Sequence, residues 1–278
     1  MAETTRLSAG QLERKADRDE ERIDRLLKEV IRKSRRKIVV LDDDPTGVQT
    51  VHDVSVYTDW SEEAVLSGFK EENSLFYILT NSRGFTAAET EKAHREIACR
   101  VLKDAGEAGR GFILMNRGDS TLRGHYPLET EVLREVLWKE GGIQVDGEVI
   151  CPFFREGGRY TIGNVHYVRY GSELIPAGET EFAKDRTFGY RSSNLTEYVE
   201  EKTEGVFPSQ NVVCIGLDDL QKGDVDKVAG QLMEVSGFNK IIVNAIGYGD
   251  LKVFCLALYR AMDQGKRFLF RTAASLVK

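Results

Sequence analysis

Three aspartates in a row, Asp42, Asp43 and Asp44, stand directly behind the apolar run KIVVL and open the turn sequence Asp-Pro-Thr-Gly. On an extended strand, successive side chains alternate sides, so the three cannot all face one ligand. One or two are expected to face a cleft and one to cap a turn, because Asp-Pro-Thr-Gly is strong turn chemistry. Three adjacent charges repel and raise at least one pKa, which a purely structural turn rarely needs. At least one is therefore read as a catalytic base, a metal-shell ligand or a hydroxyl-binding group. A second cluster, NRGDSTLRGHYP, packs Arg117, Asp119, Ser120, Thr121, Arg123 and His125 into nine residues ahead of a helix starting near Pro127. Its glycines, Gly124 among them, allow close backbone approach, and a helix amino terminus favours an anion. Guanidinium groups grip carboxylates in a two-pronged fashion, so Arg117 or Arg123 is expected to orient an acidic substrate. Arg83 in TNSRG, and Arg155 and Arg159 in FFREGGRYTIG, are weak signals singly. Together they place four or five arginines in equivalent positions of an acidic chain, which argues for a pocket selecting an anion.

The equivalence of those positions comes from the elements that carry them. Short apolar runs at 37–42, 53–58, 74–80, 111–116, 148–154, 211–217 and 240–246 alternate with amphipathic stretches such as 86–105 and 126–140. Fully apolar strands alternating with helices predict an α/β fold: three layers, a mostly parallel sheet with helices on both faces, Rossmann-like. Ligands of such sheets bind beyond the carboxyl ends of the strands, where all the clusters above fall. Residues 1–36 carry Leu12, Ile23, Leu26, Leu27, Val30 and Ile31 at helical spacing among charges and predict a helical arm. Residues 164–210 are poor in strand-like runs and predict an excursion over the active face. It ends in a helix over 192–203 that Ser193 or Asn194 would cap and Glu197 would close as a capping box.

Composition narrows the function classes. Apolar residues at 41% and charged residues at 30% describe a globular protein. No run approaches the roughly 20 apolar residues of a membrane helix, and the first 25 residues lack a signal peptide's apolar middle; a cytoplasmic protein with no membrane partner is expected. A net charge of −6 argues against nucleic acid as a bulk partner. The four cysteines have no CxxC pair and no histidine at ligand spacing, so no metal site is read from them and all four are expected as buried thiols. His52 and His166 are read as structural. EGGRY lacks the GK[ST] ending of a nucleotide-binding loop.

Two families share parts of this pattern. Asp42-x-Asp44-x-Thr46 resembles the first motif of the haloacid-dehalogenase phosphatases, with Asp42 as nucleophile and Lys184 and Thr80 as weak candidates for the remaining roles. The full set resembles the four-carbon acid sugar kinases, formerly a domain of unknown function, much better: LDDDPTG, TNSRG, RGDSTLRGHYPLE, FFREGGRYTIG with VHYV, PAGETEFAKDRTFGYRSSNL and RFLFRTAAS, in order over residues 37–278. That resemblance implies a sugar-acid-binding α/β domain over 37–278 behind the amino-terminal helical extension 1–36. It also implies a nucleotide-binding carboxyl-terminal domain that is absent from this chain, supplied by a longer chain or a partner chain together with ATP and Mg²⁺. Family substrate positions map onto Asp43 and Asp44, Arg83, Asp119, Ser120, Thr121 and Arg123. Asp43 or Asp44 is expected to accept the proton of the hydroxyl being phosphorylated. The substrate is expected to be a threonate, erythronate or 3-oxo-tetronate, with a stand-alone sugar-acid-binding module as the alternative. The charged amino-terminal helix offers a contact element for a homodimer.

Overall fold

The computed structural model describes residues 5–46 and 50–278. Residues 1–4 of the predicted arm and Gly47 of the Asp-Pro-Thr-Gly turn lie outside them. In chain order the strands are β1 (Leu7–Ser8), β2 (Lys37–Asp42), β3 (Val56–Tyr57), β4 (Leu75–Leu79), β5 (Phe112–Arg117) and β6 (Gly147–Cys151). β7 (Arg159–Ile162), β8 (Val165–Tyr170), β9 (Glu173–Pro176), β10 (Val213–Ile215), β11 (Asn239–Val243) and β12 (Phe268–Thr272) follow. The α-helices are α1 (Glu20–Lys33), α2 (Glu62–Lys70), α3 (Ala87–Glu107), α4 (Leu128–Gly141), α5 (Leu195–Lys202), α6 (Leu217–Lys222), α7 (Val225–Met233), α8 (Tyr248–Asp263) and α9 (Ala274–Val277).

Among the described residues, eight strands form one parallel sheet in the order β10-β11-β6-β12-β5-β2-β4-β3. The predicted three-layer α/β architecture is what the chain adopts. Strand alternation divides the core in two. Val39, Leu41, Phe76, Ile78 and Leu114 face one side with apolar residues of α2, α3 and α4. Val40, Tyr77, Ile113, Met115 and Val149 face the other, against residues of α1, α7 and α8. Because both faces are covered, the strands contain few exposed positions, and this is why they read as continuous apolar runs.

The sequence-based boundaries fail where runs were short or mixed. The run at 53–58 contributes only the two-residue edge strand β3, and 268–272, not read as a strand at all, is β12, inserted between β5 and β6 near the sheet centre. The stretch read as poor in strands holds β8 and β9, which pair antiparallel with β7 and with β1 of the amino-terminal arm in a separate four-stranded sheet. Their polar residues disguised them: Arg169, Tyr170 and Glu173 around the β8–β9 turn are exposed, while His166, Tyr167 and Val168 are buried in succession. Helix α5 is capped by Asn194, which accepts from the Thr196 amide at 3.0 Å, whereas Glu197 accepts from the Ser192 hydroxyl at 2.8 Å instead of closing a capping box. Helix α3 has a full capping box between Thr86 and Glu89. In the arm, Leu12 lies in a separate 3₁₀ turn, and Ile31 is exposed although the pattern placed it on the apolar stripe.

Chain order reverses at β2. From there the chain runs to β3 and β4 on one side, then returns to place β5 on the other. A crevice is expected beyond the carboxyl ends at such a reversal, and β2 and β5 end there on Asp42 and Arg117, direct neighbours in register.

Candidate functional site

The three aspartates take different hydrogen-bond partners, although Asp42 and Asp43 both approach Arg117. Asp42 shares a face with Val40, and its Oδ1 accepts from Arg117 at 2.9 Å. It is 1% exposed, and burial, only partly offset by Arg117, pushes its carboxyl up to about 6. Asp43 lies 3.9 Å from the same Arg117 Nη1, and Arg83 grips it with two bonds, Nη2 to Oδ1 at 2.7 Å and Nε to Oδ2 at 3.1 Å. Asp44 caps the turn, accepting from the Thr46 amide at 2.8 Å, and receives Arg83 Nη1 at 3.1 Å. Its side chain remains 25% exposed. Although burial opposes it, hydrogen bonds from Thr46 and the charge of Arg83 hold its carboxyl below the ordinary range. One guanidinium thus bridges two carboxylates, and those carboxylates keep Arg83 charged against the opposing effect of burial. Arg83 and Arg117, expected to hold a substrate acid, have their bonded edges on the protein's own aspartates; Arg117 Nε is buried without a partner.

The loop from Gly118 to Gly124 is the most constrained part of the site. Four consecutive carbonyls, those of residues 120 to 123, each accept a hydrogen bond from a side chain much later in the sequence. His166 Nε2 meets Ser120 O at 2.7 Å, Tyr190 Oη meets Thr121 O at 2.8 Å, Tyr198 Oη meets Leu122 O at 2.9 Å and Arg271 Nη2 meets Arg123 O at 2.6 Å. Leu122, at φ 72°, occupies the left-handed region that costs a non-glycine residue about 1–2 kcal/mol, and these anchors hold it there. His166 is fully buried, and desolvation drives its ring down to about 4, so it is neutral at physiological pH. Reading His166 as structural was right in kind; its place is beneath the site. His52, by contrast, is exposed beside Asp53.

Inside this loop Asp119 Oδ2 accepts from Arg123 Nε at 2.6 Å and from the Thr121 hydroxyl. Asp119 Oδ1 and Ser120 Oγ carry no hydrogen bond among the described residues, and both are available to a ligand hydroxyl. Against the cost of burial, Arg123 and Thr121 bring the Asp119 carboxyl down to about 2. Its folded pKa lies below the ordinary 3.8, so this carboxylate's stabilisation is present above pH 3.8 and lost as pH falls toward 2. Asp119→Asn should therefore cost about 2 kcal/mol at pH 7 and much less at pH 2, measured by urea unfolding at both. Equal losses at the two pH values would contradict the assignment. Asp42 acts with opposite sign: its raised pKa favours the fold below 3.8, and that contribution is lost as pH rises through about 6.

Arg123 and Arg159 both lie over the ring of Phe182, at 5.1 and 5.4 Å, but Arg159 begins β7 of the antiparallel sheet and is not at an end of the parallel sheet, where the sequence pattern placed it. Arg155 is exposed and lies over Tyr248 at 5.7 Å, beside Ser275 rather than in the Arg123 cluster. Gly124, at φ 121°, passes within reach of Arg271, Asp43 and Glu129, where a side chain would meet Arg271 at 3.2 Å.

Arg271 was missed, although RFLFRTAAS was among the quoted motifs. Lying in register with Asn116 on β12, it is 6% exposed and crosses Gly118 so closely that a Cβ there would meet Nη1 at 1.5 Å. Despite burial, the charges of Glu129, Tyr198, Asp43 and Asp119 keep it protonated. Glu129, in the first turn of α4, was missed too; its Oε2 accepts from Asn116 at 2.9 Å. An arginine inside an otherwise apolar strand was the available signal. The cysteine expectation needs correction: Cys151 is buried, Cys214 and Cys255 are partly covered, and Cys99 is exposed because its side of α3 faces solvent.

Carboxylates, hydroxyls and arginines thus gather in one ion-paired cluster at the carboxyl ends of β2 and β5 of a parallel α/β sheet. The chain belongs to the family of sugar-binding N-terminal domains, whose model matches residues 38–278, as the motifs of the four-carbon acid sugar kinases indicated. No sequence among the curated proteins matches it. Among solved structures it is similar to a domain of unknown function (DUF1537) from Bordetella bronchiseptica, a domain-swapped dimer with bound citrate. That likeness has a TM-score of 0.60 and 21% identity over 86% of this chain and 54% of that one. A Haemophilus influenzae protein of the same domain family aligns with a TM-score of 0.58 and 17% identity, over 86% of this chain and 54% of that one. The chain thus spans about half the length of the solved proteins it resembles. Among the described residues no helix is long and apolar enough to cross a membrane.

Proposed function

We propose that this chain is the substrate-binding half of an ATP-dependent kinase that phosphorylates a four-carbon sugar acid. The observation that carries the reading is the convergence of Asp44, Asp119, Ser120 and Arg123 at the carboxyl ends of β2 and β5, held by Arg83 and Arg271. Arg123 and Arg159 supply positive charge for a substrate carboxylate. Asp119 Oδ1 and Ser120 Oγ match sugar hydroxyls, and Asp44 is the accessible carboxylate for the hydroxyl proton. Asp43 suits that role less well, since it is 2% exposed and both its oxygens are held by Arg83. The family and the citrate-bound Bordetella neighbour are consistent with a small polyhydroxy acid as ligand.

The residues present do not fit a triphosphate. Among the described residues the glycine-rich turns at 118–124 and 157–158 are filled by Arg271 and Arg169 rather than left open, and neither is followed by a lysine. ATP and Mg²⁺ are proposed to arrive with a nucleotide-binding domain or partner chain. The phosphatase alternative has an inaccessible nucleophile, because Asp42 is sealed and bonded to Arg117. Thermal denaturation against D- and L-threonate, D- and L-erythronate and citrate tests the binding half of the proposal. At 100 times the dissociation constant, a bound tetronate should stabilise the fold by about 2.7 kcal/mol. A flat response to every tetronate would overturn the reading. Tetronate binding without turnover, even with the nucleotide-binding half and ATP·Mg²⁺ supplied, would leave a stand-alone binding module.

A further inference from the structure

A second charged cluster lies far from the crevice, between α2 and α3. Glu62 is in the first turn of α2, and Asp104 and Glu107 are in the last turn of α3; one carboxylate oxygen from each lies within 4.8 Å of the other two. Asp104 sets this group apart from an ordinary acidic surface. It is 0% exposed, and among the described residues neither of its carboxylate oxygens has a hydrogen-bond partner. Two of the three acids already have a lysine beside them, which an ion would displace, but among the described residues no ion pair reaches Asp104. Lys103 Nζ lies 2.7 Å from Glu62, Lys70 Nζ lies 3.8 Å from Glu107, and Arg100 contributes only at longer range. Two acids in the last turn of a helix also sit at the negative end of its dipole, where a cation is favoured and a carboxylate is not. Burial, then the charges of Glu62 and Glu107, raise the Asp104 carboxyl. A buried carboxyl with both oxygens unsatisfied costs about 1–3 kcal/mol or more, so the geometry calls for a proton or a metal ion there.

We infer that Glu62, Asp104 and Glu107 form a binding site for a hard divalent cation, best suited to Ca²⁺, that ties α2 to α3. Three oxygen ligands of full negative charge and no nitrogen or sulfur donor select Ca²⁺ or Mg²⁺ over softer ions. Ca²⁺ accepts oxygen ligands at about 2.3–2.6 Å in a flexible geometry, whereas Mg²⁺ requires a near-ideal octahedron at about 2.0–2.1 Å, so three carboxylates drawn from two helices suit Ca²⁺ better. Glu62 and Glu107 are exposed, which leaves the outer coordination positions to water and sets the affinity in the weak range of about 10⁻⁴–10⁻³ M.

The experiment is thermal unfolding of the chain after chelator treatment and dialysis, titrated with CaCl₂, MgCl₂ and MnCl₂, with Tb³⁺ luminescence as an independent binding readout. Ca²⁺ at 10 mM should raise Tm by about 3–10 °C, with Mg²⁺ giving less. Asp104→Asn keeps the shape while removing the charge, and Glu107→Gln loses an exposed ligand without touching the core. Both should fold in chelator, lose the Ca²⁺ shift and lose Tb³⁺ competition by Ca²⁺. No shift with any of the three ions, or an equal shift in Asp104→Asn, would overturn the site and leave a protonated Asp104 as the buried species.

Discussion

Arg271→Met should lower the unfolding free energy by about 3–5 kcal/mol and abolish tetronate binding, because it removes the one buried cation shared by Asp43, Glu129 and the 120–123 loop. The methionine matches much of the side chain's volume, so the loss reports on charge and hydrogen bonding rather than on a cavity. Two effects add. Arg123 O loses its donor, and the carboxylates of Asp43 and Glu129 lose a counter-charge in a place where water cannot replace it. Gly118→Ala offers an independent route to the same result. Its Cβ would fall 1.5 Å from Arg271 Nη1 and 2.4 Å from Cζ, so the guanidinium must leave its position although no charge is deleted. Urea unfolding and the tetronate-induced rise in Tm measure both variants. A destabilisation below about 1 kcal/mol in Arg271→Met, with ligand binding intact, would show that Arg271 is not the centre of the site.

Asp44→Asn should leave the tetronate-induced rise in Tm largely in place and reduce phosphoryl transfer by about 10²–10⁴-fold, the span typical of removing a general base. The assay is ATP-dependent phosphorylation with the nucleotide-binding half supplied. Asparagine retains the acceptor that caps Thr46 and faces Arg83, so the turn survives. Asp43→Asn should behave differently. It deprives Arg83 of its two-bond partner in a buried setting and is expected to cost several kcal/mol of stability along with binding. If Asp44→Asn retained more than a tenth of the turnover, the proton acceptor would have to be sought among Asp119 and Asp43.

Much of the fold was legible because burial on both faces leaves a plain mark. KIVVLD, SLFYILT and GFILMN admit little besides buried parallel strands, and the turns behind them carried the polar residues that gather at the switch point. Capping chemistry was less clear: the box read at Glu197 does not close, while the one between Thr86 and Glu89 went unread. The strands β8 and β9 were hidden because they mix buried His166, Tyr167 and Val168 with exposed Arg169, Tyr170 and Glu173 at their turn, and β12 because Arg271 interrupts its apolar run.

The sequence alone determined the inventory of the site: which strand ends carry acids, arginines, hydroxyls and glycines, and that one of the three aspartates would cap the turn. It could not determine which charges answer which. Arg83 on Asp43 and Asp44, Arg117 on Asp42, and Arg271 beneath the 120–123 loop are pairings between residues 39 to 148 positions apart. A linear pattern reports the face a side chain takes on its own element. The partner it meets depends on strand order and register, and here that meant the last strand of the chain entering the centre of the sheet.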